Sequence, residues 1–422
     1  MTLPGSPFLA RRDGSLQLDG VDLQALAQRF GTPLYVYSQA AMLDALASYQ
    51  RALAGRRHLV CYAMKANSNL AVLQTFALAG CGFDIVSGGE LARVLAAGGR
   101  ADRVVFSGVG KTRAEMLQAL QVGVRCFNVE SESELRRLSA VAREAGAVAA
   151  VSLRVNPDVD AGTHPYISTG LRENKFGIAH ERAREVYRLA ASLPGLKVVG
   201  IDCHIGSQIT QTAPYLDALD RLLDLVEALE AEGIAIAHID IGGGLGITYT
   251  DETPPRPGEL VAQVLARMDA RGHGQRELLL EPGRSLVGNA GVLLTEVLYL
   301  KPGPAKNFCI VDAAMNDLVR PTLYDAWMAI EPVRERRAET PQRWDVVGPV
   351  CESGDWLGRD RMLAIDEGDV LAVLSAGAYG MTMASNYNTR PRAAEVMIAG
   401  GAPVLVRERE RVENLMAAER RL

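Results

Sequence analysis

The chain reads as an α/β protein: a (β/α)8 barrel joined to a second, β-rich domain. Three observations predict it. Between residues 36 and 285, eight short apolar runs alternate with amphipathic helical patterns, which is the signature of βαβ units and parallel pairing. Eight strands over about 250 residues is the usual size of such a barrel. After residue 285 the texture changes to short β-type runs spaced by Gly, Pro and charged turns.

The eight runs lie at 59–64, 82–86, 103–106, 125–129, 150–156, 197–204, 237–241 and 277–281. Between them stretches such as 90–97, 132–145 and 215–232 carry helical periodicity. A doubly wound sheet would want fewer strands and a Gly-rich fingerprint after the first, which is absent. The second domain spans 286–422 together with 1–35. Its strands are expected at 292–300, 308–312, 344–349, 370–374 and 404–407, with 34–37 as a further strand able to join them. The tail, 407–422, mixes Arg and Glu with Val412, Leu415 and Met416 at helical spacing and predicts a solvated terminal helix.

Composition narrows the function classes. Of 422 residues, 48% are hydrophobic and 23% charged, with a net charge of -5, so a general nucleic-acid binder is not expected. No run approaches the ~20 apolar residues of a membrane helix, and the first fourteen residues lack the apolar core of a signal peptide. Six cysteines show neither CxxC pairs nor zinc-type spacing. They read as reduced thiols of a cytoplasmic protein, and no metal site is expected.

The chemistry gathers at strand ends, where a barrel places its active site. The first run ends at Lys65, in Tyr62-Ala63-Met64-Lys65-Ala66-Asn67; an amine held there, partly desolvated, can form a Schiff base. Asp84 lies near the end of the second run and Arg154 on the fifth. The sixth ends in His204-Ile205-Gly206-Ser207, the seventh in Gly242-Gly243-Gly244, the eighth in Glu281-Pro282-Gly283-Arg284. Bland alternatives exist for each: a strand-capping lysine, a tight glycine turn, a structural histidine, a salt bridge between Glu281 and Arg284. Their grouping at one face is what packing alone does not predict. The set suits a phosphorylated aromatic aldehyde. Glycines let backbone N–H groups approach a phosphate, Ser207 adds a hydroxyl, His204 stacks on a ring, and Glu281 keeps a ring nitrogen protonated. Gly108-Val109-Gly110-Lys111-Thr112 imitates a phosphate-binding loop but has Val105 where the motif needs glycine, so a plain loop is expected. In the second domain, Cys351-Glu352-Ser353-Gly354-Asp355, Arg320-Pro321-Thr322-Leu323-Tyr324 and Ala378-Tyr379-Gly380 form a polar set, with Arg320 able to fork onto a carboxylate.

These motifs resemble those of the fold-type IV pyridoxal-phosphate decarboxylases, and within them the branch acting on meso-2,6-diaminopimelate. The similarity runs from Gly31-Thr32-Pro33 to Arg390-Pro391-Arg392. The branch-level signals are His164-Pro165-Tyr166-Ile167-Ser168-Thr169-Gly170 with Lys175-Phe176-Gly177, the 351–355 segment, and Gly377-Ala378-Tyr379-Gly380 with Tyr387-Asn388. The resemblance implies a carboxy-lyase that forms L-lysine and CO2, the last step of bacterial lysine biosynthesis, with pyridoxal 5'-phosphate as cofactor. It implies that Lys65 holds the cofactor, with Asp84, Arg154, His204, Ser207, Gly243, Gly244, Glu281, Pro282, Gly283, Arg284 and Tyr379 around it. Arg284, Arg320, Tyr324, Glu352 and Tyr379 would bind substrate, and Cys351 would deliver a proton. It further implies a homodimer in which Cys351 and Glu352 serve the partner's site.

Rival readings are separable. An ornithine or arginine decarboxylase of the same fold has no second carboxylate for Arg320 and Tyr324. An alanine-racemase-like enzyme would place an arginine where Glu281 stands. A non-catalytic cofactor carrier has no use for the residues after 285.

Overall fold

The computed structural model describes residues 3–160, 162, 174–336 and 339–422. The 164–170 motif therefore lies outside the described residues. The chain separates into two compact units: Ala45–Gly246 with Thr253–Ser285, and Met1–Asp44 with Ile247–Glu252 and Leu286–Leu422.

The first unit is a closed parallel barrel. Its strands are His58–Ala63, Gly82–Ile85, Val104–Phe106, Cys126–Val129, Ala149–Asn156, Leu196–Asp202, His238–Asp240 and Glu277–Leu280. Each pairs in parallel with the next, the eighth returns to the first through Leu279 opposite Leu59, and Phe127 opposite Val151 joins the fourth to the fifth. All eight expected runs are strands, with ends shifted by a few residues. Alternation along each strand sends every second side chain inward. Leu59, Cys61, Val105, Cys126 and Leu279 pack there as one apolar layer, which is how a barrel interior fills. On the sixth strand Gly200 lies opposite His238. A Cβ at 200 would overlap the His238 imidazole, so the ring of one strand occupies the side-chain space of its neighbour.

Helix starts follow local chemistry. Ser87, Thr112 and Ser131 cap the helices Gly88–Ala96, Arg113–Val122 and Glu132–Glu144 through their hydroxyls. Thr112 and Glu115 complete a reciprocal capping box.

The second unit is built on a mixed sheet. Leu34–Ser38 pairs antiparallel with Gly291–Lys301 and parallel with Ala394–Ala399. Phe308–Val311, Gln342–Val347, Trp356–Leu363, Val370–Val373, Ile330–Pro332 and Ala402–Arg407 extend the network. The segment 34–37 thus does join the β-rich unit. Leu16, Leu34, Val36, Val292, Leu294, Ala372 and Val396 lie in its core. The expected terminal helix shrinks to one turn, Val412–Leu415: its apolar residues find no partner face, since Val412 and Met416 are exposed. An isolated amphipathic stretch that short does not hold a helix.

Candidate active site

Lys65 stands on a single tight turn, Met64–Ala66, immediately past the first barrel strand. Local bonds fix that turn. The Tyr62 hydroxyl donates to Asn67 O (2.9 Å), Asn67 Oδ1 accepts from Asn69 N–H (3.1 Å), and Asn69 Oδ1 caps the next helix at Ala71 N–H (2.9 Å). Lys65 Nζ donates to Asp84 Oδ2 at 2.9 Å; the lysine side chain is 39% exposed and the aspartate not at all. An amine half open to solvent at the barrel mouth, held by a buried carboxylate, is placed to react.

Three further acids face the same interior. Asp202, Asp240 and Glu281 are buried, with carboxylate oxygens within 4.8 Å of one another. Burial pushes Glu281 well above the usual carboxylate range, and Asp240, Asp84 and Asp202 push it further. Asp240 is pushed up to about 7, again mainly by burial. Asp202 rises strongly for the same reason, with Asp240 adding to it. Like charges this close in a dry interior share protons rather than ionise together. Asn128 Nδ2 donates to Glu281 Oε1 at 3.3 Å.

Arg154, buried on the fifth strand, pairs with Glu130 at 3.2 Å and lies 4.9 Å from the Phe176 ring centroid. Glu130 also accepts the N–H groups of Gly108 (2.9 Å) and Gly177 (3.1 Å). Behind it Lys111 is entirely buried. Its Nζ donates to Glu134 (2.7 Å), Gly108 O (2.7 Å) and Asn128 O (2.8 Å). The segment imitating a phosphate site is the expected loop before the helix Arg113–Val122, and its lysine is the cation of an internal ion pair.

His204 Nδ1 accepts the Gly243 N–H at 3.3 Å, and burial, with Arg154 and Lys65 nearby, pulls its pKa well down, so the ring is neutral. The glycine turn is tight for steric reasons. Asp240 Oδ1 accepts the Gly242 N–H (2.8 Å), Gly242 and Gly244 have φ of 69° and 101°, and a Cβ at 243 or 244 would strike the backbone oxygens of Glu281 or Gly206. Two of the expected phosphate donors, Gly242 and Gly243 N–H, thus point at Asp240 and His204. Ser207 Oγ accepts from Arg284 Nη2 at 2.9 Å. Pro282 O accepts the Ala63 N–H (3.1 Å), and Gly283 packs on Ala63, tying the eighth strand end to the Lys65 turn. The barrel unit therefore brings Lys65, Asp84, Arg154, His204, Ser207, Gly243, Gly244, Glu281, Pro282, Gly283 and Arg284 to one strand-end face. This donor set, an accessible amine, a neutral imidazole, a buried proton-sharing acid and a side-chain-free cradle beside a hydroxyl and a guanidinium, fits pyridoxal phosphate. Glu130, Asp202, Asp240 and Asn128 went unread in the sequence, although each sits at a strand end where the same inspection would have found it.

The β-rich unit holds the rest. Arg320 is buried, with its guanidinium carbon 5.3 Å from the Tyr249 ring centroid and 5.9 Å from that of Tyr324. Thr322 Oγ1 donates to Gly354 O at 2.6 Å, joining the helix Arg320–Tyr324 to the 351–355 loop. Cys351 and Glu352 are exposed. Asp355 is structural: its carboxylate accepts the N–H groups of Met315 (2.6 Å) and Val350 (2.7 Å). Tyr379 has φ of 55°, a conformation that a bulky side chain adopts only where its surroundings impose it.

The barrel with its lysine-bearing mouth defines a pyridoxal-dependent decarboxylase, and residues 39–288 match the family described as "Pyridoxal-dependent decarboxylase, pyridoxal binding domain". The chain is 59% identical to the diaminopimelate decarboxylase of Vibrio cholerae, covering 98% of both chains, and 60% identical to that of Pseudomonas aeruginosa, covering 97% of both. Its structure is similar to diaminopimelate decarboxylase from M. jannaschii in co-complex with L-lysine, with a TM-score of 0.95, 38% identity and coverage of 100% and 99%. A Helicobacter pylori diaminopimelate decarboxylase complexed with L-lysine gives a TM-score of 0.90 at 40% identity, covering 94% and 99%. The chain belongs to the diaminopimelate decarboxylase family. One label changes: a parallel barrel with a separate β domain is fold type III, not the fold type IV named from the motifs.

Proposed function

We propose that the protein is a pyridoxal-phosphate-dependent carboxy-lyase that converts meso-2,6-diaminopimelate to L-lysine and CO2, the closing step of lysine biosynthesis. The observation that carries it is the Lys65 amine against Asp84 in a barrel mouth that also holds Glu281 among buried acids. Pyridoxal phosphate, when bound, supplies the sink for the electron pair that departing CO2 leaves behind. Lys65 would hold the cofactor through its amine, beside Asp84, and would free it for the substrate amine. Neutral His204 presents an uncharged ring face. Glu281, kept basic by Asp240 and Asp202, holds a proton at the ring nitrogen. Ser207, the glycine turn and the 282–284 segment enclose the phosphate, with Asp84, Arg154 and Tyr379 bordering it.

Arg284, Arg320 and Tyr324 hold the carboxylate that is kept, Glu352 takes the distal amine, and Cys351 Sγ delivers the proton that replaces CO2. The enzyme acts as a homodimer, with Cys351 and Glu352 lent to the partner's site. Their exposure supports this, as do the exposed apolar Leu323 and Tyr387 on segments hydrogen-bonded to the same loop. The reading places the enzyme in a reducing cytoplasm, and all six cysteines are free thiols.

The test is incubation with pyridoxal phosphate and, separately, meso-diaminopimelate, ornithine, arginine or lysine, with CO2 and amine products measured. CO2 and L-lysine from diaminopimelate alone are expected. CO2 from ornithine or arginine instead would overturn the substrate assignment, and none from any would overturn the reaction.

A further inference from the structure

The pair Tyr387-Asn388 has no role in the scheme above, yet both side chains reach the 351–355 loop. Asn388 Oδ1 accepts the Cys351 N–H at 2.9 Å, and the Tyr387 hydroxyl donates to Glu352 Oε2 at 3.2 Å. Neighbouring residues thus each hold one of two neighbouring residues on the loop that carries the proton donor and the amine-binding carboxylate. The backbone is bent to do so. Asn388 (φ 56°, ψ 26°) and Thr389 (φ 56°) are both left-handed, a conformation that asparagine tolerates and threonine disfavours. The bend is anchored at both ends. Ser385 N–H donates to Asn316 O (2.8 Å), and Asn386 Nδ2 donates to Arg390 O (3.0 Å) and Glu410 Oε2 (2.8 Å). Strain of this kind persists where surrounding contacts over-determine it, and it concentrates at functional positions.

We infer that Tyr387 and Asn388 are positioning residues: Asn388 fixes the backbone from which Cys351 projects, and Tyr387 fixes the rotamer of Glu352. The inference rests on the reading of Cys351 as proton donor and Glu352 as amine ligand. Its consequences divide between two kinetic constants. Without the tyrosine hydroxyl, Glu352 samples more rotamers and the distal amine is held less well, so binding suffers. Without the asparagine amide, the loop at Cys351 loosens and proton delivery suffers.

The test uses Tyr387→Phe, Asn388→Gly, Asn388→Asp and Glu352→Gln in the holoenzyme. Glycine keeps the left-handed backbone and loses the acceptor, whereas aspartate keeps both. Loss of one hydrogen bond predicts about a three- to tenfold effect. Tyr387→Phe should raise KM for meso-diaminopimelate by that factor with kcat little changed, and should add nothing when combined with Glu352→Gln. Asn388→Gly should lower kcat with KM near that of the parent, and Asn388→Asp should restore it. Amide hydrogen exchange of the 350–356 peptide gives a readout independent of turnover: it should speed up in Asn388→Gly and return to the parent rate in Asn388→Asp, at unchanged thermal stability. Equal kcat and KM effects from both single substitutions, or unchanged exchange in Asn388→Gly, would overturn the inference. A normal KM in Glu352→Gln would instead overturn the underlying role of Glu352, so the two failures are distinguishable.

Discussion

Replacing Lys111 with methionine removes the cation of the buried pair with Glu134 while keeping most of its volume. The Glu134 carboxylate stays behind, 6% exposed, with the Glu130 N–H on its other oxygen. Burial already raises its pKa and Lys111 works against that rise, so losing the lysine leaves only the Glu130 N–H hydrogen bond against burial. The carboxyl can escape by taking up a proton. From an ordinary pKa of 4.5, protonation at pH 7 costs about 3.4 kcal/mol. The carbonyls of Gly108 and Asn128 also lose their donor, at about 1 kcal/mol each. Partial relaxation brings the expected loss to about 3–5 kcal/mol, the range for breaking a buried pair from one side. Urea unfolding followed by far-UV circular dichroism measures it. Because the protonation part shrinks as pH falls, the penalty at pH 5 should be smaller by about 2–3 kcal/mol. Lys111→Met with Glu134→Gln should recover most of it. A penalty below about 1 kcal/mol, or one identical at pH 5 and pH 7, would refute the ion-pair account.

Four further outcomes are expected. His238 has its pKa pulled down to about 3 by burial, so the unfolded chain binds a proton below pH 6.5 that the folded chain refuses. Stability is therefore lost as pH falls from 6.5, by about 2 kcal/mol at pH 5, and His238→Gln should flatten that slope in urea titrations. Asp240, raised to about 7, has the opposite sign: the folded enzyme binds the extra proton, and stability without pyridoxal phosphate is lost as pH rises from about 4 through 7. Asp240→Asn should remove that loss, a gain of a few kcal/mol at pH 8, and an unchanged slope would count against the shared-proton cluster. Arg320→Ala should raise KM for meso-diaminopimelate, at a cost of about 2–5 kcal/mol in binding, and a near-normal KM would remove Arg320 from the substrate site. Finally, Lys65→Ala and Cys351→Ala enzymes, each inactive, should regain activity when their subunits are mixed and re-formed; no recovery would place Cys351 and Lys65 of one chain in the same site.

The barrel was legible because its strands are continuous apolar runs, buried on both faces, and a run of that kind has one reading once helices separate it from the next. The β-rich unit was less so. Trp356–Leu363 carries Arg359, Asp360 and Arg361 in its middle, which interrupts its apolar pattern; the structure buries Arg361 with its guanidinium carbon 4.0 Å from the Trp327 ring centroid. Ala394–Ala399 hides Glu395, whose charge meets the Tyr37 hydroxyl at 2.7 Å. Ile330–Pro332 is too short to carry a period. Lys65, His204 and Glu281 were visible because reactive residues at the ends of several apolar strands gather at one face, a grouping that packing alone does not predict. Asp202 and Asp240, each the last residue of its strand, carry the same positional signal, but an acid there also reads as the start of a loop. Only the neighbouring strands, each delivering its own acid, reveal that they converge.

The space shared by Gly200 and His238 bears on inheritance. One volume is divided between two strands, and all of it is assigned to position 238. A lineage reassigns that volume at least cost in one order. In that order position 238 shrinks first, leaving a void that costs stability, and 200 then acquires a side chain without displacing a ring. In the reverse order a Cβ at 200 would overlap the His238 ring, which would have to shift to admit it. Among descendants, a larger residue at 200 is therefore expected together with a smaller or displaced side chain at 238.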